Sequence, residues 1–262
     1  MRLGDYEILR TLGQGAMGTV YLARDTQLGR LVALKTISPD CQDNMRGMLL
    51  REARLLSRLR HPNVAELYTI GCQGGRDYLV MEYVQGRPFE ELRQTGWPSR
   101  AETLARVLDG LEAMHRAEVV HRDLKMDNIL LKSDGQPKIV DLGIARDLQA
   151  LSPELSRGGT VVGTPLFMAP EQIAEKHGSV GPWTDVYAAG MILYYLLYGT
   201  LPGQRTSLLE VFRQRTAGEI PFPDRVGEET LPPGLVALCR KAVAAKPEER
   251  FPTAAAFAGI VS

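Results

Sequence analysis

In the first third of the chain, apolar positions come in short runs rich in β-branched and aromatic residues. The runs at 6–12 and 19–24 are separated by Gly13-Gln14-Gly15-Ala16-Met17-Gly18, and 31–37, 65–72 and 77–83 repeat the pattern, the last two around Gly74-Gly75. Runs of this kind with glycine between them predict strands joined by tight turns. The pattern changes once, over 44–59, where Met48, Leu55, Leu56 and Leu59 recur at helical spacing while Arg51, Arg54 and Arg58 fall opposite. That predicts one amphipathic helix, broken by His61-Pro62-Asn63. Glu52 lies on its apolar face, and a carboxylate in a core stripe calls for a buried cation.

Beyond residue 97 the apolar period lengthens towards 3.6. Ser99 followed by Glu102 predicts a capping box and a helix to about Ala117. Val119-Val120 and 129–131 are short extended runs, and Ser133-Asp134-Gly135 predicts a hairpin turn into Lys138-Ile139-Val140. The apolar stretch 186–202 is shorter than the roughly 20 residues that span a bilayer, and predicts a buried helix. Ser207 with Glu210 predicts a second capped helix, 221–233 a proline-rich loop, and 235–245 and 253–261 closing helices. Strands first and helices after predict an α+β architecture.

Charge alters this picture little. Lysines plus arginines number 31, as do aspartates plus glutamates, so no net field points to nucleic acid or to an anionic membrane surface. Cys41, Cys72 and Cys239 are scattered outside any metal-ligand spacing, and are expected to be small buried hydrophobes in a reducing compartment. The opening Met-Arg-Leu-Gly-Asp-Tyr-Glu carries charge where a signal peptide needs an apolar core. The expectation is a cytoplasmic chain that makes no membrane contact of its own.

Candidate chemistry concentrates in His121-Arg-Asp-Leu-Lys-Met-Asp-Asn-Ile-Leu-Leu131. Asp123, Lys125 and Asn128 are offset by two and five residues, which scatters them around a helix and suits a loop. A carboxylate can accept a proton from an attacking hydroxyl, an ammonium can steady a moving phosphoryl group, and an amide oxygen can ligate a hard cation. Together these are the working parts of phosphoryl transfer. A lysine also interrupts the apolar run Val32-Ala33-Leu34-Lys35, where it must reach an anion or water.

The run at 121–131 resembles the catalytic loop of the eukaryotic-type (Hanks-type) Ser/Thr protein kinases, and the motifs look most like those of the bacterial members. Other motifs follow in the family's order. The glycine loop leads into a strand, not the helix of a dinucleotide-binding fold; Val32-Ala33-Leu34-Lys35 is close to Val-Ala-Ile-Lys; and Ala169-Pro170-Glu171 matches Ala-Pro-Glu. Asp141-Leu142-Gly143 stands where the family usually has Asp-Phe-Gly, and Leu142 leaves the packing of an off state open.

The resemblance implies a bilobal kinase fold: a small antiparallel sheet lobe with one main helix over about 1–82, a hinge at 82–86, and a larger, mostly helical lobe over 87–262. It implies an ATP site built from Leu12, Gly13, Gln14, Gly15, Gly18, Val20, Ala33, Lys35 and Glu52, with Met81, Glu82 and Val84 at the hinge and Leu130 beneath. Lys35 and Glu52 would form an ion pair, and Asn128 and Asp141 would hold Mg²⁺. Asp123, Lys125, Asn128 and Thr164 would carry the chemistry, with Ser or Thr in proteins as the acceptor. Thr160 is the expected phosphorylation site, ahead of Ser152 and Ser156, with Arg122 and Arg146 meeting the phosphate, after self-association for autophosphorylation in trans. Glu171 would pair with Arg250, and Asp185 would hold the catalytic loop from below. Two rival readings stand beside this one. A nucleotide-binding pseudokinase scaffold would be expected to lack one of Lys35, Asp123, Asn128 or Asp141, and a small-molecule phosphotransferase has no need of the long segment 141–171.

Overall fold

The computed structural model describes residues 1–15, 18–37, 43–141 and 164–261. The chain opens with β1 (Arg2–Leu3), β2 (Tyr6–Gly15), β3 (Gly18–Asp25) and β4 (Leu31–Thr36), then α1 (Asp43–Leu56), β5 (Leu67–Gln73) and β6 (Arg76–Glu82). The strands form one antiparallel sheet in the order β1-β2-β3-β4-β6-β5. Five strands were expected. The sixth, β1, is a two-residue edge pairing Arg2 with Glu7 and Leu3 with Tyr6, too short to leave an alternation in the sequence.

Alternation along β4 explains why its sequence is nearly all apolar. Val32 and Leu34 are buried with Ala23, Tyr78 and Val80 in a small core on one face of the sheet. Ala33 and Lys35 leave from the other face, across the ladder from Met81 and Leu79. That second face belongs to the main core, which runs through Ala53 and Leu56 of α1 into the helical half. A strand covered on both sides needs no polar face, so Lys35 stands out.

The second half contains β7 (Arg87–Pro88), α2 (Trp97–Arg116), β8 (Ile129–Leu131), β9 (Pro137–Ile139), α3 (Pro170–Ile173), α4 (Pro182–Tyr198), α5 (Leu208–Ala217), the ribbon β10 (Arg225–Val226) and β11 (Glu229–Thr230), α6 (Pro233–Ala242) and α7 (Ala254–Val261). β7, β8 and β9 make a three-stranded sheet. α4 is apolar all round and packs against α2, α6 and α7, as a helix buried on every side must. An added Cβ on Gly190 of α4 would lie 2.7 Å from Ala242 Cβ and Val243 Cγ1, so glycine sets how closely α6 approaches.

The capping box expected at Ser99 does not form. α2 begins at Trp97 with Gly96 as its cap, and Pro98, whose fixed φ suits a first turn, pulls the start forward, so Glu102 lies inside the helix and pairs with Arg106 at 2.6 Å. At α5, Ser207 does accept from the Glu210 amide at 3.3 Å, while the Glu210 carboxylate turns to Arg213 and Gln214. Cys239 is buried, donates to Gly190 O at 3.4 Å, and has its thiol pKa pushed far up by burial. Cys72, on the strand β5, is exposed, contrary to expectation. Among the described residues no helix is long and apolar enough to cross a membrane.

Candidate active site

The loop at 121–128 is held by a carboxylate in the first turn of the buried helix α4. Asp185, fully buried, accepts from the backbone amides of His121 and Arg122, both at 2.8 Å, and lies 2.8 Å from His115 Nε2 on α2. A buried carboxylate filled with partners makes a stiff anchor. It fixes Arg122 in a left-handed conformation, φ 61°. Gln172 of α3 grips the same residue, donating Nε2 to Arg122 O at 2.8 Å while its Oε1 accepts from Ala169 N at 3.1 Å.

The loop so pinned presents its three polar groups together. Asp123 and Lys125 approach to 3.9 Å, and Asn128 donates its amide nitrogen to Asp123 O at 2.8 Å. Because that nitrogen is engaged, the amide oxygen is the end of Asn128 left for a ligand. The hairpin β8–β9 returns alongside, and Val140 N donates to Asn128 O at 2.8 Å, which sets Asp141 beside Asn128. Asp141 is also left-handed, φ 54°. A carboxylate and an amide oxygen are hard donors, few in number, and suit a divalent cation that takes its remaining ligands from phosphates and water. Among the described residues, no group of three or more His, Cys, Asp and Glu forms an all-protein metal cage.

Across the cleft, β3, β4 and β6 turn one face towards this loop. Val20 is the rung opposite Lys35, and Ala33 the rung opposite Met81, so these four side chains share that face. Lys35, only 8 % exposed, pairs through Nζ with Asp141 Oδ1 and so joins the two lobes. Burial raises the Asp141 pKa, but the charge and hydrogen bond of Lys35 outweigh it and hold the carboxyl below the ordinary range.

The expected Lys35–Glu52 ion pair is not made. Glu52 reaches down from α1 to Arg122, Oε1 to Nη1 at 3.0 Å, while the buried Lys35 takes Asp141. The physical reason is local: each part-buried carboxylate needs a cation, and the loop offers Arg122 to Glu52 just as β4 offers Lys35 to Asp141.

In the glycine loop, Gly13 pairs with Val20, Gln14 with Thr19 and Gly15 with Gly18. A Cβ on Gly18 (φ 141°) would stand 1.8 Å from Thr36 O, whereas one on Gly13 would meet nothing within 4 Å. Gly18 is therefore demanded by the sheet itself, and Gly13 faces open space. Leu12, 37 % exposed, lies at a register shift between Thr11 and Gly13. At the end of β6, Glu82 N donates to Glu66 O at 2.8 Å, Val84 is buried, and Leu130 is half-buried on the rung opposite Lys138.

Three features escaped the sequence reading. Lys138, in β9, forms an ion pair with Glu82; the signal was there, since Lys138 interrupts an apolar run as Lys35 does. The Arg122–Glu52 contact and the burial of Arg215 in α5 left no local signal. Glu171 and Arg250 meet in a buried two-pronged pair at 2.7 and 2.8 Å. Thr164 opens a short 3₁₀ turn, Thr164–Phe167. Leu142, Arg146, Ser152, Ser156 and Thr160 lie outside the described residues.

A sheet lobe tied to a helical lobe through Lys35 and Asp141, beside a loop that holds Asp123, Lys125 and Asn128 together, points to a phosphotransferase-like class of protein. The chain belongs to the protein kinase domain family, which it matches over residues 6–258. It is 36 % identical over 259 residues to the serine/threonine-protein kinase PknD of Mycobacterium tuberculosis, covering 97 % of this chain and 38 % of that protein. It is 35 % identical over 267 residues to the serine/threonine-protein kinase PksC of Streptomyces coelicolor (97 % and 48 %), and 34 % identical over 269 residues to the serine/threonine-protein kinase Pkn1 of Myxococcus xanthus (98 % and 38 %). The chain thus spans less than half the length of these curated relatives.

Proposed function

We propose that this chain transfers the γ-phosphoryl group of ATP to serine or threonine hydroxyls of proteins. The observation that carries the reading is the convergence of Asp123, Lys125 and Asn128 on one loop pinned by Asp185, with Asp141 drawn beside Asn128 and Lys35 facing them across the cleft.

Each group has a role its chemistry suits. Asp123 orients the acceptor hydroxyl and takes its proton, and Lys125 steadies the γ-phosphoryl as charge shifts between oxygens. Thr164 bridges Asp123 and Lys125. Lys35 turns from Asp141 to the α and β phosphates, while Glu52 stays with Arg122. Leu12, Gly13, Gln14, Gly15, Gly18 and Val20 cover the nucleotide from above, where glycine lets backbone amides approach phosphate oxygens. Ala33, Met81, Val84 and Leu130 enclose the adenine. Since the Glu82 amide is engaged by Glu66, adenine pairing at Glu82 falls to its carbonyl. Asn128 and Asp141 are the residues that would hold Mg²⁺, whose chemistry here is to neutralise phosphate charge.

The division into a sheet lobe at 1–82, a hinge at 82–86 and a helical lobe at 87–262 forms part of the proposal. So do a cytoplasmic location and activation by autophosphorylation at Thr160 after self-association.

Mass spectrometry of the protein after incubation with ATP and Mg²⁺, beside an Asp123→Asn control, tests the reading. We expect phosphate on the parent and a rate about 10² to 10⁴ lower in the control, the usual loss when a general base is removed. A control that labels as fast as the parent would place the base elsewhere.

A further inference from the structure

Among its described residues the helical lobe contains two buried arginines with opposite surroundings. Arg250 meets a carboxylate with both prongs and donates as well to Ala244 O, Ala245 O and Trp183 O. Arg215, in α5, has no exposed surface at all and no acidic partner among the described residues. Its Nη2 donates to Leu166 O at 3.2 Å and to Pro202 O at 2.9 Å, and its Nε and Nη1 are buried without a hydrogen-bond partner among the described residues. Beside it the Tyr187 hydroxyl of α4 is also buried without a hydrogen-bond partner among the described residues; burial pushes its pKa up to about 12 against the opposing charges of Arg215 and Arg250.

A guanidinium buried against two carbonyls is a poor way to stabilise a fold, because desolvation of the charge exceeds what two neutral acceptors return. Its position gives a different account. The two carbonyls belong to two segments: Leu166 to the turn Thr164–Phe167, and Pro202 to the connection between α4 and α5. Phe167 and Met168, next along from Leu166, line the same small cavity as Asp123 and Leu124. A shift of the Leu166 carbonyl is thus felt in the wall beside the proposed base. That wall lies on the helical-lobe side of Asp123, away from the nucleotide groups on β3, β4 and β6.

We propose that Arg215 is a positioning residue for the protein acceptor: by holding the Leu166 carbonyl it sets the turn Thr164–Phe167 against the catalytic loop and thereby governs acceptor affinity. The inference rests on the kinase reading above. It predicts an unusual pairing of effects, in which an apolar replacement leaves the fold as stable or more so while acceptor binding is lost.

Steady-state kinetics of the 262-residue chain, with histone as acceptor, decide the matter. Arg215→Met is expected to lower kcat/KM for histone by about tenfold to a hundredfold, chiefly through KM, which corresponds to about 1.4 to 2.8 kcal/mol of lost acceptor binding. The ATP KM stays within about twofold and the melting temperature does not fall, since a buried charge without an acidic partner has been removed. Arg215→Lys, which keeps a donor but loses the planar fork, falls between the two. A folded Arg215→Met with unchanged histone KM overturns the proposal, as does a parallel rise of the ATP and histone KM values with a lowered melting temperature. Should the methionine variant fail to fold, an unchanged histone KM in Arg215→Lys overturns it equally. A parent that labels neither itself nor histone sinks the kinase reading itself, whereas an active parent with an unaltered variant sinks this proposal alone.

Discussion

Asp123 follows a residue whose backbone is forced to φ 61°, a conformation that costs a non-glycine residue of the order of 1–3 kcal/mol. The cost is met by Asp185, which accepts both neighbouring amides, and by Gln172, which takes the Arg122 carbonyl. Side-chain chemistry at this scale was legible: an acid, a cation and an amide close together on a loop point to phosphoryl transfer without coordinates. Which glycines matter, and why, was not. Gly18 is hemmed in by Thr36 O and Gly13 by nothing. We expect Gly18→Ala to destabilise the protein by about 1–3 kcal/mol through overpacking and strain, and Gly13→Ala to leave thermal stability nearly unchanged while raising the ATP KM. Thermal melts and nucleotide titrations of the two variants check this; equal losses of stability would contradict the geometry.

Helix α1 was predicted from its arginine and leucine faces, and Arg51, Arg54 and Arg58 are exposed while Ala53 and Leu56 are buried. Its functional contact was misjudged. Periodicity places Glu52 on the inward face, but the cation that meets it depends on how far α1 stands from β4 and from the loop at 121–128, a distance no sequence pattern encodes. The observed pairs are Glu52–Arg122 and Lys35–Asp141. A double-mutant cycle measures the difference. In nucleotide-free protein, Glu52→Gln combined with Arg122→Met should show a coupling of about 0.5–3 kcal/mol in urea melts, and Glu52→Gln combined with Lys35→Met should be close to additive. Strong coupling only in the second cycle would restore the pair originally expected. At α2, likewise, the capping residues at Ser99 and Glu102 were present, but Pro98 in the first turn decided where the helix begins.

At the scale of the whole molecule, the lobes share a continuous apolar core, and specific polar contacts among the described residues reinforce it. Asn63 Nδ2 donates to Pro137 O at 2.8 Å, Ile139 N to Asn63 O at 2.8 Å, and Lys138 pairs with Glu82 at the end of β6. Within the helical lobe the Glu171–Arg250 pair, with Thr184 Oγ1 donating to Glu171 Oε1 at 2.8 Å, ties α3, α4 and the segment before α7 together. Breaking one side of a buried pair strands the other charge, so Arg250→Met should cost about 3–5 kcal/mol. At roughly 2–4 °C per kcal/mol for a chain of this size, the melting temperature should drop by about 10 °C. Calorimetry of the variant is the check, and a drop of no more than about a degree would show the pair to be dispensable. The residue sequence by itself determined the order of strands and helices and the residue types available for chemistry, because periodicity and turn composition are local properties that survive without coordinates; the two lobes were implied only by the resemblance to the kinase family. Only the tertiary structure decided which acid meets which base, that Lys138 pairs with Glu82, and that Arg215 is buried under the turn beside Asp123. Those outcomes depend on distances between segments tens of residues apart, and a charged side chain commits to whichever partner the packing of apolar faces brings within about 4 Å.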